Sequence, residues 1–224
     1  MSKKDSLAVL FDLDGTLVDT APDMISTLYK VINVQNKKKS IPKDIIRSYV
    51  SDGSTGLIKL AMPNANESEI TKLQQDFLSI YQNNLCNKTR VFESLRNLLK
   101  TFEDHNIKWG VVTNKPSRMT IPLFQKLNLC CKYIVSGDTL IYRKPSPKPL
   151  LLACDLMNIR PENAIYVGDA RRDIEAGISA GMKTISAQYG YIKNNDNLKL
   201  WNSDLIASSP SHLNSVIKKE LGIA

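Results

Sequence analysis

The chain has 224 residues and a hydrophobic content of 42%, as expected for one large α/β domain or for a core domain with a smaller insertion. Its net charge is +8, which suits an anionic substrate, but no recognised nucleic-acid motif accompanies the lysines and we expect no nucleic-acid partner. No apolar run approaches the ~20 residues of a membrane span, and Asp12 and Asp14 interrupt the short apolar run that follows the basic N-terminus. We therefore expect a cytoplasmic protein without a membrane partner.

The first predicted strand, residues 9–11, is fully apolar and is followed by two aspartates that lie two residues apart, Asp12 and Asp14. Such a run is typical of a strand that is buried on both faces of a parallel sheet. Carboxylates this close repel one another and resist ionising together. The pair therefore calls for a metal ion or a cationic side chain nearby. Asp19 follows several residues later, and we expect it to shape the start of the next segment.

Residues 20–88 separate the first strand from the next and form a connection far longer than an ordinary crossover. Apolar residues recur at helical spacing in two parts of this connection, residues 21–35 and 68–85. We therefore predict a helical cap domain over residues 20–88, inserted into a core domain that comprises residues 1–19 and 89–224. Because the insertion leaves the sheet just after Asp14, it is placed to cover the turn that carries the aspartates.

Further apolar runs follow the insertion, separated by segments with helical periodicity. Near-continuous apolar strands that alternate with helices indicate βαβ crossovers, and hence an α/β fold with a Rossmann-like, doubly wound parallel sheet. The predicted strands cover residues 107–114, 133–138, 163–169, 182–188 and, as a short sixth strand, 203–209.

Polar side chains follow the first four predicted strands. They are Asp12 and Asp14 after the first strand, Thr113 and Asn114 at the end of the second, Lys144 after the third, and Asp169 and Asp173 after the fourth. Ligands of open parallel sheets bind at the carboxyl ends of the strands, so we expect these side chains to converge on one site.

Four short motifs carry these residues, and they appear in the order DLDGT, VVTN, RKP and GDARRD. Together they resemble the four signatures of the haloacid dehalogenase-like superfamily, in its phosphatase branch. The resemblance covers essentially the whole chain. It implies a phosphoric monoester hydrolase with a helical cap domain and Mg²⁺ as its cofactor.

The resemblance also implies a role for each polar residue. Asp12 corresponds to the nucleophile that forms an aspartyl-phosphate, and Asp14 to the general acid and base. Thr113 and the amide of Asn114 would hold phosphoryl oxygens. Lys144 would neutralise both the phosphoryl group and Asp12.

The same resemblance implies a set of metal ligands. Asp12, Asp169 and the backbone carbonyl of Asp14 would hold Mg²⁺, with water and a phosphate oxygen completing an octahedron. Asp173 would ligate the ion through water or support the ligands from behind.

Substrate selection is expected to depend on the cap domain, which would close over the site as a lid. Its polar candidates are Arg47, which could pair with a substrate carboxylate, and the segment that contains Ser51, Asp52 and Gly53. Arg171 and Arg172, next to Asp173, are expected on the exposed side of their turn.

Within the family, the chain most resembles the phosphoglycolate phosphatases, and the N-acetylmuramic acid 6-phosphate phosphatases are the alternative. The segments VTNKP and RKPSPKPLLLACDLM are similar to phosphoglycolate phosphatases, while YGYI and the later Trp201 are similar to N-acetylmuramic acid 6-phosphate phosphatases of peptidoglycan recycling. Both substrates are small phosphate monoesters that bear a carboxylate. A sugar phosphomutase and a phosphoacceptor signalling domain are the remaining alternatives, and we expect a monomer or a homodimer.

Overall fold

A six-stranded parallel sheet forms the centre of the molecule in a computed structural model that describes residues 7–34 and 41–223. The predicted doubly wound sheet is confirmed, and each strand predicted from the sequence is present. The strands are β1 (Ala8–Phe11), β4 (Lys108–Val112), β5 (Tyr133–Val135), β6 (Ala164–Gly168), β7 (Lys183–Ala187) and β8 (Leu205–Ala207). Their order in the sheet is β5-β4-β1-β6-β7-β8.

The central position of β1 explains its fully apolar sequence. All four residues of β1 are completely buried, because the strand has neighbours on both edges and helices on both faces. Phe11 lies opposite Val111 of β4 and Val167 of β6 in the parallel register. The chain segments that leave these three strands therefore emerge side by side at one edge of the sheet.

Helices cover both faces of the sheet. Val9 and Phe11 point into the apolar core that contains the helices Leu95–Asp104, Ser117–Lys126 and Pro210–Leu221, whereas Leu10 points into a second core on the opposite face with the helices Lys148–Met157 and Arg171–Ser179. This arrangement follows from the alternation of side chains along a strand. The helices of the chain are α1 (Ala21–Val34), α2 (Lys43–Ser48), α3 (Gly53–Ala61), α4 (Glu67–Asn83), α5 (Leu95–Asp104), α6 (Ser117–Lys126), α7 (Lys148–Met157), α8 (Arg171–Ser179) and α9 (Pro210–Leu221).

Helices α1 to α4 follow one another between β1 and β4, and we call them the helical insertion. Buried apolar side chains such as Leu28, Leu57 and Phe77 hold them together. The insertion departs and returns through two short antiparallel strands, β2 (Val18–Asp19) and β3 (Arg90–Val91). This two-stranded stem was not predicted from the sequence, because two residues are too few to show a strand pattern. The division at residues 20–88 into cap and core stays a prediction.

Membrane insertion requires a long apolar helix. Among the described residues, no helix combines the length and the apolar character needed to cross a bilayer.

A buried carboxylate ties the two ends of the helical insertion together. Asp23, in the first turn of α1, is 3% exposed. Its oxygens accept hydrogen bonds from the backbone N–H groups of Lys88 and Thr89 at 2.9–3.0 Å and from the Thr89 hydroxyl at 2.7 Å. The start of α1 is thereby fixed to the segment that leads into β3.

We expect Asp23→Ala to lower the free energy of unfolding by about 2–4 kcal/mol, because it leaves buried donors without an acceptor. Chemical denaturation with urea measures this change. Asp76→Ala, at an exposed position on α4, is the control and should stay within about 0.5 kcal/mol of the wild type. Equal effects of the two substitutions would contradict the role of Asp23 as a clamp.

Candidate active site

The residues predicted to converge do meet at the carboxyl edge of the sheet. Asp12 directly follows β1 and donates its backbone N–H to the carbonyl of Val167 on β6 at 2.8 Å, which extends the sheet pairing to the catalytic candidate itself. Gly15 then turns the chain with a φ of +90°. A Cβ atom at Gly15 would lie 2.1 Å from Oδ2 of Asp169, so the close approach of these two loops requires glycine.

Lys144 lies at the centre of the site and is almost completely buried. Its Nζ donates to Oδ1 of Asp12 at 2.5 Å and also contacts Oδ1 of Asp173, the Tyr166 hydroxyl and the Val112 carbonyl, each at 2.8 Å. Burial opposes the charge of Lys144, but the two carboxylates outweigh burial and raise its pKa. The ammonium therefore stays protonated beside Asp12.

Asn114 holds Lys144 in position through the backbone. Its side-chain amide donates to the Lys144 carbonyl and accepts from the Lys144 N–H, both at 3.1 Å. The Asn114 side chain is thus engaged inside the protein, which leaves its backbone amide for the phosphoryl contact that the sequence predicts. Thr113 is 4% exposed, and its Oγ1 accepts from the Lys115 N–H at 3.1 Å, so its hydroxyl proton is free for a ligand.

Three buried carboxylates form an acidic cluster. Oxygens of Asp12, Asp169 and Asp173 all lie within 4.8 Å of one another. Burial raises the pKa of Asp169, and the neighbouring carboxylates of Asp12 and Asp173 raise it further. Burial likewise raises the pKa of Asp12 to about 6, against the lowering effect of Lys144. The three carboxylates therefore carry more negative charge than Lys144 alone can stabilise.

The donor set of this cluster fits a divalent cation. Oδ1 of Asp169 is buried and has no hydrogen-bond partner among the described residues, whereas Oδ2 of Asp169 accepts from the Tyr191 N–H at 2.8 Å. A bare, oriented carboxylate oxygen is what a hard cation requires. Asp173 is already engaged, through Lys144 and the Ala170 N–H, which suits the supporting role that the sequence allowed for it.

Asp14 has its own set of partners. Oδ1 of Asp14 accepts from Lys115 Nζ at 2.9 Å and from the Thr20 hydroxyl at 2.6 Å. Lys115 in turn lies over the ring of Tyr81 on α4, 4.8 Å from its centroid. Burial opposes the charge of Lys115, but Asp14 outweighs it and raises the pKa of this lysine. Lys115 is not among the site residues predicted from the sequence, although it directly follows the VVTN motif.

The helical insertion contributes one wall of the site. Ser51, Asp52 and Gly53, the candidates for substrate contact in the insertion, line the cleft. The Ser51 hydroxyl donates to Oδ2 of Asp169 at 3.0 Å, so it touches the acidic cluster directly. Asp52 forms an ion pair with Lys193 of the loop after β7 at 2.6 Å.

Arg47 is placed elsewhere. Its guanidinium pairs with Asp19, with contacts at 2.9 and 3.1 Å, and lies 4.9 Å from the ring centroid of Tyr191. It does not line the cleft but borders a separate depression beside Pro22 and Tyr29. The structure therefore does not bring Arg47 to the other predicted site residues. The reason is Asp19, whose carboxylate meets α2 as the chain enters the insertion.

The prediction for Arg172 was wrong. Instead of lying on the exposed side of its turn, it points into the cleft, where one amino group donates to the Ser51 carbonyl at 2.6 Å. Arg171, by contrast, is 68% exposed and pairs with Glu175. Two adjacent arginines at the start of a helix point in different directions, and sequence alone does not show which one faces inward.

The cleft between the sheet edge and the insertion has a volume of about 340 Å³. Residues from the core and from the helical insertion line it. They include Asp12, Asp14, Thr113, Asn114, Lys115, Arg143 and Arg172 from the core, and Val50, Ser51, Asp52, Gly53, Gln74, Phe77 and Tyr81 from the insertion.

Comparisons with known proteins agree with this geometry. Residues 9–187 match the haloacid dehalogenase-like hydrolase family. The chain is 37% identical to an N-acetylmuramic acid 6-phosphate phosphatase of Pseudomonas putida over 96% of its length and 97% of the relative's. It is 36% identical to a phosphoglycolate phosphatase of Xylella fastidiosa over 90% of its length and 89% of the relative's.

A solved structure has the same fold. It is a predicted phosphoglycolate phosphatase from Haemophilus somnus 129PT, which superposes with a TM-score of 0.83 at 24% identity over 95% of this chain and 98% of that one.

The acidic cluster predicts a measurable effect of a divalent cation on stability. Millimolar Mg²⁺, as the probe, should raise the Tm of the wild type, because binding to the folded state alone stabilises it. Asp169→Asn should remove this increase. It should also raise the Tm without metal near neutral pH, since Asn replaces a carboxylate whose raised folded pKa makes ionisation costly as pH increases. Differential scanning fluorimetry measures both effects.

Asp104→Asn, at an exposed position on α5, is the matched control and should keep the Mg²⁺-dependent increase. An unchanged Mg²⁺ response in Asp169→Asn would show that the ion binds elsewhere.

Proposed function

We propose that this chain, which belongs to the haloacid dehalogenase-like hydrolase family, is a Mg²⁺-dependent phosphatase that hydrolyses small phosphate monoesters. One observation carries the proposal. Oδ1 of Asp12 is held at 2.5 Å from the buried ammonium of Lys144, at the strand end where the acidic cluster and the cleft meet. Burial raises the pKa of Asp12, but Lys144 opposes this effect and orients the carboxylate as a nucleophile.

In the first step, a carboxylate oxygen of Asp12 attacks phosphorus and the bond from phosphorus to the ester oxygen breaks. The leaving oxygen takes a proton from Asp14. In the second step, Asp14 accepts a proton from water, which attacks the aspartyl-phosphate and releases inorganic phosphate and free Asp12. The contacts of Asp14 support this role because Lys115 and Thr20 hold its carboxylate in one orientation at the wall of the cleft.

Charge stabilisation of the phosphoryl group comes from three residues of the core. The ammonium of Lys144 supplies positive charge beside Asp12, and the hydroxyl of Thr113 and the backbone amide of Asn114 are the donors for phosphoryl oxygens. Because the Asn114 side chain fixes the backbone of Lys144, these donors are held in place before the substrate arrives. Such preorganisation is the main source of catalysis in phosphoryl transfer.

Asp12, Asp169 and the backbone carbonyl of Asp14 are the residues we assign to Mg²⁺, with Asp173 in support. When bound, the ion supplies positive charge for the phosphoryl oxygens and for the carboxylates around it. The unpartnered Oδ1 of Asp169 supports this assignment.

The substrate class follows from the relatives. One is named an N-acetylmuramic acid 6-phosphate phosphatase and another a phosphoglycolate phosphatase, and both compounds are phosphate monoesters with a carboxylate. We propose a substrate of this class for this chain, with phosphoglycolate and N-acetylmuramic acid 6-phosphate as the candidates. We further propose that the helical insertion acts as the cap domain and that the protein is a cytoplasmic monomer or homodimer.

Sustained release of phosphate from p-nitrophenyl phosphate in the presence of Mg²⁺ tests the reaction type. Asp12→Asn should reduce kcat by about 10³-fold or more, because the amide is a poor nucleophile, and EDTA should abolish turnover in the wild type. The far-ultraviolet circular dichroism of the variant should match the wild type, since Asn preserves shape.

Near wild-type turnover in Asp12→Asn would contradict the nucleophile assignment. A single burst of acyl-phosphate without turnover in the wild type would favour a phosphoacceptor signalling domain instead.

Asp14→Ala should lower kcat by about 10²- to 10⁴-fold, the usual contribution of a general acid or base. Since the substitution removes the group that activates water, labelled phosphate should remain on Asp12 after acid quenching of the variant. Intact-mass measurement detects this species. Wild-type kinetics in Asp14→Ala would contradict the assignment.

A further inference from the structure

Arg172 is a half-buried cation that has no role in the proposed chemistry. It lies in the first turn of α8 and lines the cleft together with Asp12, Thr113 and Asn114. Among the described residues, its guanidinium forms no ion pair, and its hydrogen bond goes to the Ser51 carbonyl at 2.6 Å. Its Nε is buried and has no hydrogen-bond partner among residues 7–34 and 41–223.

The other buried or half-buried cations around the cleft differ in this respect. Lys144 pairs with Asp12, Lys115 with Asp14 and Lys193 with Asp52. Each of these positive charges is already matched inside the protein. Burial opposes the charge of Arg172, but the nearby carboxylates of Asp173 and Asp12 outweigh burial and raise its pKa. Since no described carboxylate forms an ion pair with its guanidinium, the planar donors of Arg172 remain available for an anion from outside the chain.

The position of Arg172 indicates which part of a substrate it would meet. Its anchor, Ser51, also donates to Asp169 at 3.0 Å, so Ser51 connects the guanidinium to the acidic cluster. The phosphoryl group would occupy the donors around Lys144. Arg172 then lies at the junction of the sheet edge and the insertion, where the rest of the substrate would extend.

Two other arginines are less suitable for this contact. Arg47 is already paired with Asp19 and does not line the cleft. Arg143 does line it, but its side chain is exposed and its Nε donates to the Gly137 carbonyl at 2.8 Å. Water solvates an exposed charge, so Arg143 gains little from a ligand carboxylate.

We propose that the guanidinium of Arg172 binds the carboxylate of the substrate and makes the enzyme select carboxylated phosphate monoesters over counterparts that lack the carboxylate. Arginine suits this contact because its planar donors match a carboxylate, and its charge does not depend on pH in the working range. This inference rests on the proposed phosphatase function and adds a specificity-determining residue to it.

Matched substrate pairs test the proposal. N-acetylmuramic acid 6-phosphate differs from N-acetylglucosamine 6-phosphate by the lactyl group that carries the carboxylate. Phosphoglycolate carries a carboxylate where 2-hydroxyethyl phosphate has a hydroxymethyl group. The wild type should prefer the carboxylated member of at least one pair in kcat/KM. Arg172→Gln should lower kcat/KM for that member about 10- to 100-fold, as expected for the loss of a charged hydrogen-bonded contact, and change its counterpart less than about threefold.

Arg171→Gln is the matched control. It replaces the adjacent arginine, which is exposed and paired with Glu175, and both kcat/KM values should remain at the wild-type level. Arg172→Lys keeps the positive charge without the planar donors, so its selectivity should lie between those of the wild type and Arg172→Gln. It also serves as the test variant if Arg172→Gln does not fold.

An equal decrease for both members of a pair would overturn the proposal and leave Arg172 as an anchor for the Ser51 segment. A wild type that hydrolyses phosphate esters without preferring carboxylated ones would overturn it as well. A wild type that releases no phosphate from any of these compounds would instead contradict the proposed phosphatase function, so the two failures are distinguishable.

Discussion

The contact between Lys144 and Asp12 is the interaction on which the rest of the site depends. Asp12 and Asp173 both lie against the same buried ammonium, and its positive charge offsets part of the cost of burying the two carboxylates. The position of Lys144 is fixed in turn by Asn114, Tyr166 and the carbonyl of Val112. The strand ends after β1, β4 and β6 thus meet at a single charge.

The fold supplies this meeting point through register. Phe11 is level with Val111 and Val167 in the parallel sheet, so the residues that follow these three strands emerge side by side. Gly15 then takes the chain past Asp169 at a distance that no side chain would allow, and the stem formed by β2 and β3 leads it into the helical insertion. The segment from Asp12 to β2 therefore positions the carboxylates and also the helical insertion that faces them across the cleft.

The sequence predicted the sheet and the core of the site because both depend on local patterns. Continuous apolar strands and a polar group after each strand are visible without knowledge of the fold. The direction of a side chain in a helix or loop is not visible in this way, which explains why the positions of Arg47, Lys115 and Arg172 were not predicted correctly. Arg47 pairs with Asp19, Lys115 pairs with Asp14, and Arg172 donates to the Ser51 carbonyl. Each of these contacts depends on a partner that is distant in the chain.

The first turn of α8 carries residues of both proposals, the reaction and the selection of the substrate. Asp173 contacts Lys144, and the adjacent Arg172 donates to the Ser51 carbonyl of the helical insertion. Ser51 in turn donates to Asp169 of the acidic cluster. Arg172 and Asp12 both belong to segments that follow strands of the sheet, so the register of the sheet fixes their relative positions. The proposed carboxylate contact is therefore positioned by the same sheet edge as the candidate nucleophile, with Ser51 of the insertion as its neighbour.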